Sequence, residues 1–318
     1  MNVVHAAPLP ALDAGKFDDP FVTQTGETRA SVSLSALRTL WFNTGTLCNL
    51  TCANCYIESS PTNDRLVYLT PAEVTDYLDE IARGGHPTEE IGFTGGEPFM
   101  NPGLIAMLDD ALGRGHRALV LTNAMRPMMK CGAALLDLRA RHGDRLSLRV
   151  SLDHHTQVRH DEERGLRAWE RTLPGLKWLS VNGFDLAVAA RTRWGDSEAS
   201  LRAGFARLFA AQGIALDAAD AGNLVLFPEM DERLDVAEIT TACWGLLGVD
   251  PDDMMCATSR MVVKRKGAEH ASVAPCTLLP YDPQFDLGRT LAEANTAVHL
   301  NHPHCARFCV LGGGSCSA

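Results

Sequence analysis

The stretch Cys48-Asn49-Leu50-Thr51-Cys52-Ala53-Asn54-Cys55 decides how this chain is read. Three thiols fall at CxxxCxxC spacing, directly after the apolar run Thr39-Leu40-Trp41-Phe42, which reads as a strand. A structural zinc or a fully ligated cluster takes four protein ligands, whereas a site that does chemistry keeps one position open. Three thiolates can hold three irons of a 4Fe–4S cubane and leave the fourth iron free to bind something that reacts. The plainer readings of Cys48, Cys52 and Cys55 are a zinc knuckle or a set of buried thiols.

Further along, Thr94-Gly95-Gly96-Glu97-Pro98 follows a second short apolar run, Ile91-Gly92-Phe93. Two adjacent glycines let the backbone approach a ligand closely. Glu97 can accept hydrogen bonds from an ammonium group, or act on a ligand indirectly by holding the loop. Alone, this is an ordinary strand-to-helix turn. In this order, after two successive strands, the two motifs resemble the radical S-adenosylmethionine (radical SAM) superfamily.

The resemblance implies that Cys48, Cys52 and Cys55 hold the catalytic 4Fe–4S cluster, whose unique iron chelates the amino and carboxylate groups of S-adenosylmethionine. It implies that the turn Gly95, Gly96, Glu97 and Pro98 contacts the cofactor's amino group. One electron from the cluster would then split the cofactor into methionine and a 5′-deoxyadenosyl radical. The family often carries an aromatic residue just before its third cysteine; here that position is Asn54 and the aromatic, Tyr56, comes just after. Tyr56 is therefore taken as a cofactor contact. A polar side chain late in the fourth strand commonly lies near the cofactor's ribose, which selects Ser151. Asp153 serves equally to anchor the following loop, where His160-Asp161 and Arg164-Gly165 resemble a recurring family pattern. Arg191 or Arg193 would pair with the cofactor's carboxylate as a fork donor, unless it is a solvated surface arginine. Asn123 is a further pocket candidate.

The 318 residues are 46% hydrophobic and 21% charged, ordinary globular material long enough for one large core and a smaller appended unit. A formal charge of −10 argues against a nucleic-acid surface built on phosphate contacts. No run reaches the apolar length of a membrane span, and the first residues carry neither a basic stretch nor a long apolar one, so a cytoplasmic location is expected. Ten cysteines in that setting point to metal or catalysis before disulfides.

Residues 1–35 are mixed, small and polar, and read as an N-terminal extended arm. From residue 36 to 235 strand and helix patterns alternate. Strands are expected near 37–43, 90–94, 118–122, 146–152, 185–190 and 223–227. The helix after residue 70 has the clearest signals: Thr70 with Glu73 as a capping box, Pro71 at its first position, and Val74, Tyr77, Leu78 and Ile81 on one face before Gly84-Gly85. Strands trailed by helices imply parallel βα units. The fold class is α/β, and the resemblance implies a partial (β/α)6 TIM-like barrel with ligands at the carboxyl ends of its strands.

In residues 236–318 the rhythm breaks. A short helix at 239–247, a hairpin with arms at 261–267 and 272–274, and a helix at 290–300 are expected. Cys256 and Cys276 flank the hairpin; Cys305, Cys309 and Cys316 follow the last helix. This pattern resembles the C-terminal twitch extension, related to the longer SPASM domain, and the resemblance implies one auxiliary Fe–S cluster. Four of these five thiols would be its ligands: Cys256, Cys276 and Cys305, with Cys309 or Cys316 as the fourth. A zinc ribbon of the same thiols is the alternative. Cys131 and Cys243 read as core thiols, and His302 and His304 as loop-packing residues. Lys264-Arg265-Lys266 reads as a solvated hairpin tip, or as a contact for an acidic substrate or redox partner.

The function implied is a radical SAM enzyme, reduced by a flavodoxin or ferredoxin, that abstracts hydrogen from a peptide or a small molecule. A group-transfer enzyme using S-adenosylmethionine as donor, and a non-catalytic Fe–S or zinc-binding protein, are the alternatives.

Overall fold

The computed structural model describes residues 10–316. In chain order the elements are β1 (Ser31–Val32), β2 (Thr39–Asn43), α1 (Pro71–Gly84), β3 (Glu90–Thr94), α2 (Leu104–Gly113), β4 (Arg117–Thr122), α3 (Arg126–Lys130), α4 (Gly132–His142), β5 (Leu146–Ser151), α5 (Gln157–Arg164), α6 (Ala168–Val181), β6 (Asp185–Arg191), α7 (Glu198–Gln212) and β7 (Leu224–Phe227). The C-terminal region adds α8 (Cys243–Leu247), α9 (Met255–Thr258), β8 (Ser259–Val263), β9 (Ser272–Ala274) and β10 (Val298–His299).

Eight strands form one sheet in the order β7-β6-β5-β4-β3-β2-β8-β9. The six strands expected from the sequence are its parallel body, each joined to the next through helices. Leu121 of β4, Arg149 of β5, Ala189 of β6 and Phe227 of β7 line a single cavity, so the sheet curls round it as an open barrel. Parallel strands under such cover are apolar on both faces. All five residues of β2 are buried: Leu40 and Phe42 pack under the helices, while Trp41 packs with the C-terminal region.

Local chemistry explains the boundaries. In α1 the Thr70 hydroxyl accepts the Glu73 N–H and the Glu73 carboxylate accepts the Thr70 N–H, at 3.3 and 2.8 Å. Such a cap stabilises a helix by about 1 kcal/mol. The helix buries Val74, Tyr77, Leu78 and Ile81 and stops at Gly85, whose φ of 62° is left-handed.

The expected hairpin is β8 and β9, antiparallel, but it is not free-standing. β8 pairs in parallel with β2, Thr39 opposite Ser259 through Phe42 opposite Val262, so the hairpin extends the barrel's own sheet. The helix expected at 290–300 does not form. Glu293 accepts the N–H groups of Arg289 and Thr290, and Glu80 accepts that of Leu291, so side chains satisfy the turn's donors. Val298 and His299 instead form β10 against β1 of the arm. The arm also bridges Ala11 to Leu234 and Arg29 to Thr240, with Arg29 paired to Glu238 at 2.6 Å. Residues 1–9 of the expected arm lie outside the described residues. Among the described residues, no helix is long and apolar enough to cross a membrane.

Candidate active site

The loop that leaves β2 carries Cys48, Cys52 and Cys55, and all three thiols line one cavity of about 160 Å³ at the carboxyl ends of the strands. Gly95 and Gly96 at the end of β3 line it too, as do Tyr56, Ser151, Asn123, Asp153, Arg164 and Arg191. The two motifs that are separate in sequence are laced together by backbone. The Gly96 N–H donates to Gly45 O at 2.8 Å and the Glu97 N–H to Leu47 O at 3.2 Å. Gly95 has φ of 135°, and a Cβ on Gly96 would sit 2.3 Å from Leu47 O. No side chain fits at either position without pushing the cysteine loop away.

Glu97 does not point into the cavity. It is 1% exposed, and its carboxylate accepts from the Thr122 hydroxyl and the Asn123 N–H, both at 2.8 Å, and from the Phe99 N–H at 3.2 Å. Burial pushes its carboxyl up to about 7 despite these donors. Of the two roles open to Glu97 in the sequence, this geometry is the indirect one: it clamps the ends of β3 and β4. Pro98, buried beside it, opens the single turn that follows.

The cysteine loop is held from below by Glu163 at the end of α5, which is 2% exposed. Its carboxylate accepts from the N–H and the side-chain amide of Asn54 at 3.0 and 2.8 Å, from Arg191 at 2.9 Å and from Arg193 at 2.6 Å. Asn54 therefore anchors the loop where an aromatic residue is more usual. The guanidinium fork of Arg191, expected to be open to a cofactor carboxylate, is filled instead by Glu163 and, at 3.0 Å, by Glu229. Arg193 is committed to the same two carboxylates. Asp153 forms a bidentate pair with Arg164, so it anchors the loop before α5. Burial raises the Asp153 carboxyl, but the adjoining Arg164 charge outweighs it and the net shift is downward. Glu163 carries no signal in the sequence beyond a charged run, whereas Arg164 stood in the Arg164-Gly165 pattern; only folding shows that both turn inward.

The three thiols are more widely spread than the ligands of a single tetrahedral zinc. Among the described residues no three cysteine sulfurs lie within 4.8 Å of one another. A tetrahedral zinc would gather them to about 3.8 Å. The Leu50 N–H donates to Cys48 Sγ at 3.4 Å and the Ser59 N–H to Cys55 Sγ at 3.3 Å, the kind of donor that stabilises cluster thiolates. Burial pushes the Cys48 thiol up to about 12 and the Cys52 thiol up to about 11, so binding iron releases their protons.

A second group of thiols lies in the C-terminal region. Cys256, Cys276, Cys305 and Cys309 line a separate, small apolar cavity of about 20 Å³ with Met254, Met255 and Leu279. Cys316 is not in that lining. It lines the larger cavity with Cys48, Cys52 and Cys55, while remaining within electrostatic reach of Cys276 and Cys309. Cys131 packs against the helical core, and Cys243 accepts the Thr240 N–H at 3.4 Å. His302, His304 and Glu232 bring one ligand atom each within 4.8 Å. However, His302 Nδ1 accepts the His304 N–H at 3.1 Å, which places a neutral ring's proton on Nε2, facing Glu232 at 3.4 Å. That is a hydrogen bond between loops, not a vacant ligand set. Lys264 and Lys266 of the hairpin tip pair with Glu73 and Asp64 at 2.6 Å each, and Arg265 pairs with Asp286 at 2.8 Å.

Residues 42–191 match the family described as the radical SAM superfamily. Over 143 residues the chain is 32% identical to the antilisterial bacteriocin subtilosin biosynthesis protein AlbA of Bacillus subtilis, covering 45% of this chain and 30% of that one. Over 142 residues it is 29% identical to an AdoMet-dependent heme synthase of Oleidesulfovibrio alaskensis, covering 44% and 34%. The match thus spans about a third of the length of these curated relatives. In fold it is similar to the crystal structure of Streptococcus suis SuiB bound to the precursor peptide SuiA, with a TM-score of 0.59 at 14% identity, over 83% of this chain and 66% of that one.

Proposed function

We propose, from the premise that residues 42–191 of this chain are a radical SAM domain, that the protein is a radical SAM enzyme with its active site in the cavity shared by Cys48, Cys52, Cys55 and the Gly95-Gly96 turn. The domain implies a 4Fe–4S cluster and S-adenosylmethionine. The observation that carries the reading is the convergence of the loop's three thiols and a ligand-accessible glycine turn on one cavity, the fourth cysteine of its lining, Cys316, coming from the C-terminal tail. When bound, cluster and cofactor supply reductive cleavage of the sulfonium and hydrogen-atom abstraction from a substrate.

The chain's own residues bind, orient and exclude water. Cys48, Cys52 and Cys55 take three irons. Gly95 and Gly96 present backbone to the cofactor's amino group, and Glu97 keeps that backbone in place. Ser151, at the end of β5, faces the ribose side, and Tyr56 closes the cavity toward the C-terminal region. Arg164, paired to Asp153 and close to Cys52, adds positive charge beside the thiols, while its fork, like that of Arg191, is already held by a carboxylate. Cys256, Cys276, Cys305 and Cys309 hold an auxiliary Fe–S cluster, a reading supported by no three of these sulfurs gathering within 4.8 Å of one another. A flavodoxin or ferredoxin delivers the electron. The substrate is a peptide or a small molecule; relatives named for a bacteriocin and for a heme synthase lie on either side of that choice.

Anaerobic incubation of the reconstituted protein with S-adenosylmethionine and dithionite tests this reading. Release of 5′-deoxyadenosine is expected. Other fragments of the cofactor would point to group transfer, and no turnover in iron-loaded protein would reject an enzymatic role.

A further inference from the structure

The cavity wall includes a buried cation that the site described above does not use. Arg149, in the middle of β5, is 6% exposed and lines the cavity. It lies on the same face of the strand as Ser151 and two residues deeper, a distance of about 7 Å. One of its terminal nitrogens donates to the Cys316 carbonyl at 2.9 Å, and its Nε has no partner. The groups of opposite sign within electrostatic reach are the Cys316 thiol and the Glu90 carboxyl, and neither forms an ion pair with it. Glu90 lies outside the lining of this cavity, and its Oε1 makes no hydrogen bond to Arg149. The other two arginines of the wall are answered, Arg164 by Asp153 and Arg191 by Glu163 and Glu229. Among the lining residues, three arginines thus face two carboxylates, Asp153 and Glu163.

Buried charges are paired unless something else meets them, because taking a lone ion out of water is costly. Two guanidinium donors on this wall, Arg149 Nε and Arg191 Nε, lack acceptors, and the Ser59 hydroxyl has no partner. A cavity with surplus donors and one surplus positive charge is complementary to an anion with lone pairs on two oxygens. Arg149 sits two residues below Ser151 on β5, level with Leu121 of β4, and its guanidinium meets the C-terminal tail at the Cys316 carbonyl.

We propose that Arg149 receives a carboxylate of the substrate and fixes which hydrogen faces the cofactor. This rests on the reading of the cavity as a radical SAM active site. The carboxylate belongs to a free organic acid or to a peptide, and both present the same two oxygens to the fork.

The test uses anaerobic, cluster-loaded protein with saturating S-adenosylmethionine and no reductant. Binding of acetate, and separately of N-acetyl-aspartate methylamide, is followed by saturation-transfer NMR in wild type, Arg149→Met and Arg149→Lys. Saturable binding is expected, weakened about tenfold or more by Arg149→Met and less by Arg149→Lys, which keeps the charge but loses the fork. Acetate alone binding would assign a free acid, and the peptide-like probe binding would assign a peptide side chain. The melting temperature supplies a second readout. Removing an unanswered buried charge leaves ligand-free Arg149→Met at or above wild type, whereas an arginine kept for structure would lower it. The proposal is overturned if neither probe saturates, if Arg149→Met binds them like wild type, or if the substitution instead weakens S-adenosylmethionine binding in parallel. Protein that binds acetate through Arg149 yet never releases 5′-deoxyadenosine would fail the functional reading alone.

Discussion

The two groups of thiols differ in how they are assembled. Cys48, Cys52 and Cys55 come from eight consecutive residues of one loop and face a roomy cavity with charged walls. Cys256, Cys276, Cys305 and Cys309 come from three separated segments, α9, the end of the hairpin and the helical turn over residues 305–310, and face a small apolar hole. Three ligands with space beside them suit chemistry on a bound molecule. Four ligands without space suit structure or electron storage. A local motif can be read from sequence because the backbone alone sets its spacing, whereas a dispersed one exists only after the chain has folded.

Several substitutions would break or sharpen that contrast. The largest effect is expected for Cys52→Ala, which should cut 5′-deoxyadenosine release by ~1,000-fold or more and remove about four of about eight irons per chain. Unchanged iron would take Cys52 out of the ligand set. Cys276→Ala should also lose about four irons, and should lower the melting temperature by roughly 5–10 °C, because its group ties distant segments together. A similar melting loss from Cys52→Ala would erase the distinction between the two groups.

Glu163→Gln comes next. It leaves Arg191 and Arg193 short of a buried counter-charge, and urea denaturation should register a loss of roughly 3 kcal/mol. A neutral result would mean that Glu229 alone suffices for both arginines.

Glu97 gives a smaller effect with a defined sign. Its carboxyl sits at about 7 in the folded protein against an ordinary 4.5, so the folded state holds the proton more tightly. Stability contributed by this group is present below pH 4.5, falls as pH rises toward 7 and is level above that, a change of roughly 3 kcal/mol. In iron-free protein, Glu97→Gln should flatten that slope; a slope that persists would assign it to another group. Least of all, Cys131→Ala and Cys243→Ala should leave iron content unchanged and move stability by under about 1 kcal/mol.

The sequence foretold the parallel body of the sheet well, because βα repeats and the Thr70 cap are local signals that tertiary packing reinforces. It misled at residues 290–300, where Thr290 and Glu293 mimic a helix start but Glu80 and β1 compete for the same backbone groups. It was silent about β8 beside β2, since a parallel pairing over more than two hundred residues leaves no trace in either strand's pattern. At the site, the thiols and glycines stood out by type and spacing. Glu163 did not, because a glutamate in a charged run looks the same whether it turns inward or outward. Arg191 was placed on the cavity wall but mispartnered, since its fork is filled by side chains 28 and 38 positions away.

The β2–β8 pairing has a consequence for how the molecule matures. β2 feeds directly into the Cys48 loop, and β8 starts three residues after Cys256. Because β8 must lie beside β2 before the sheet is complete, the two thiol-bearing regions share one folding step, and a chain cut between β7 and β8 should leave the Cys48 loop without its neighbouring strand.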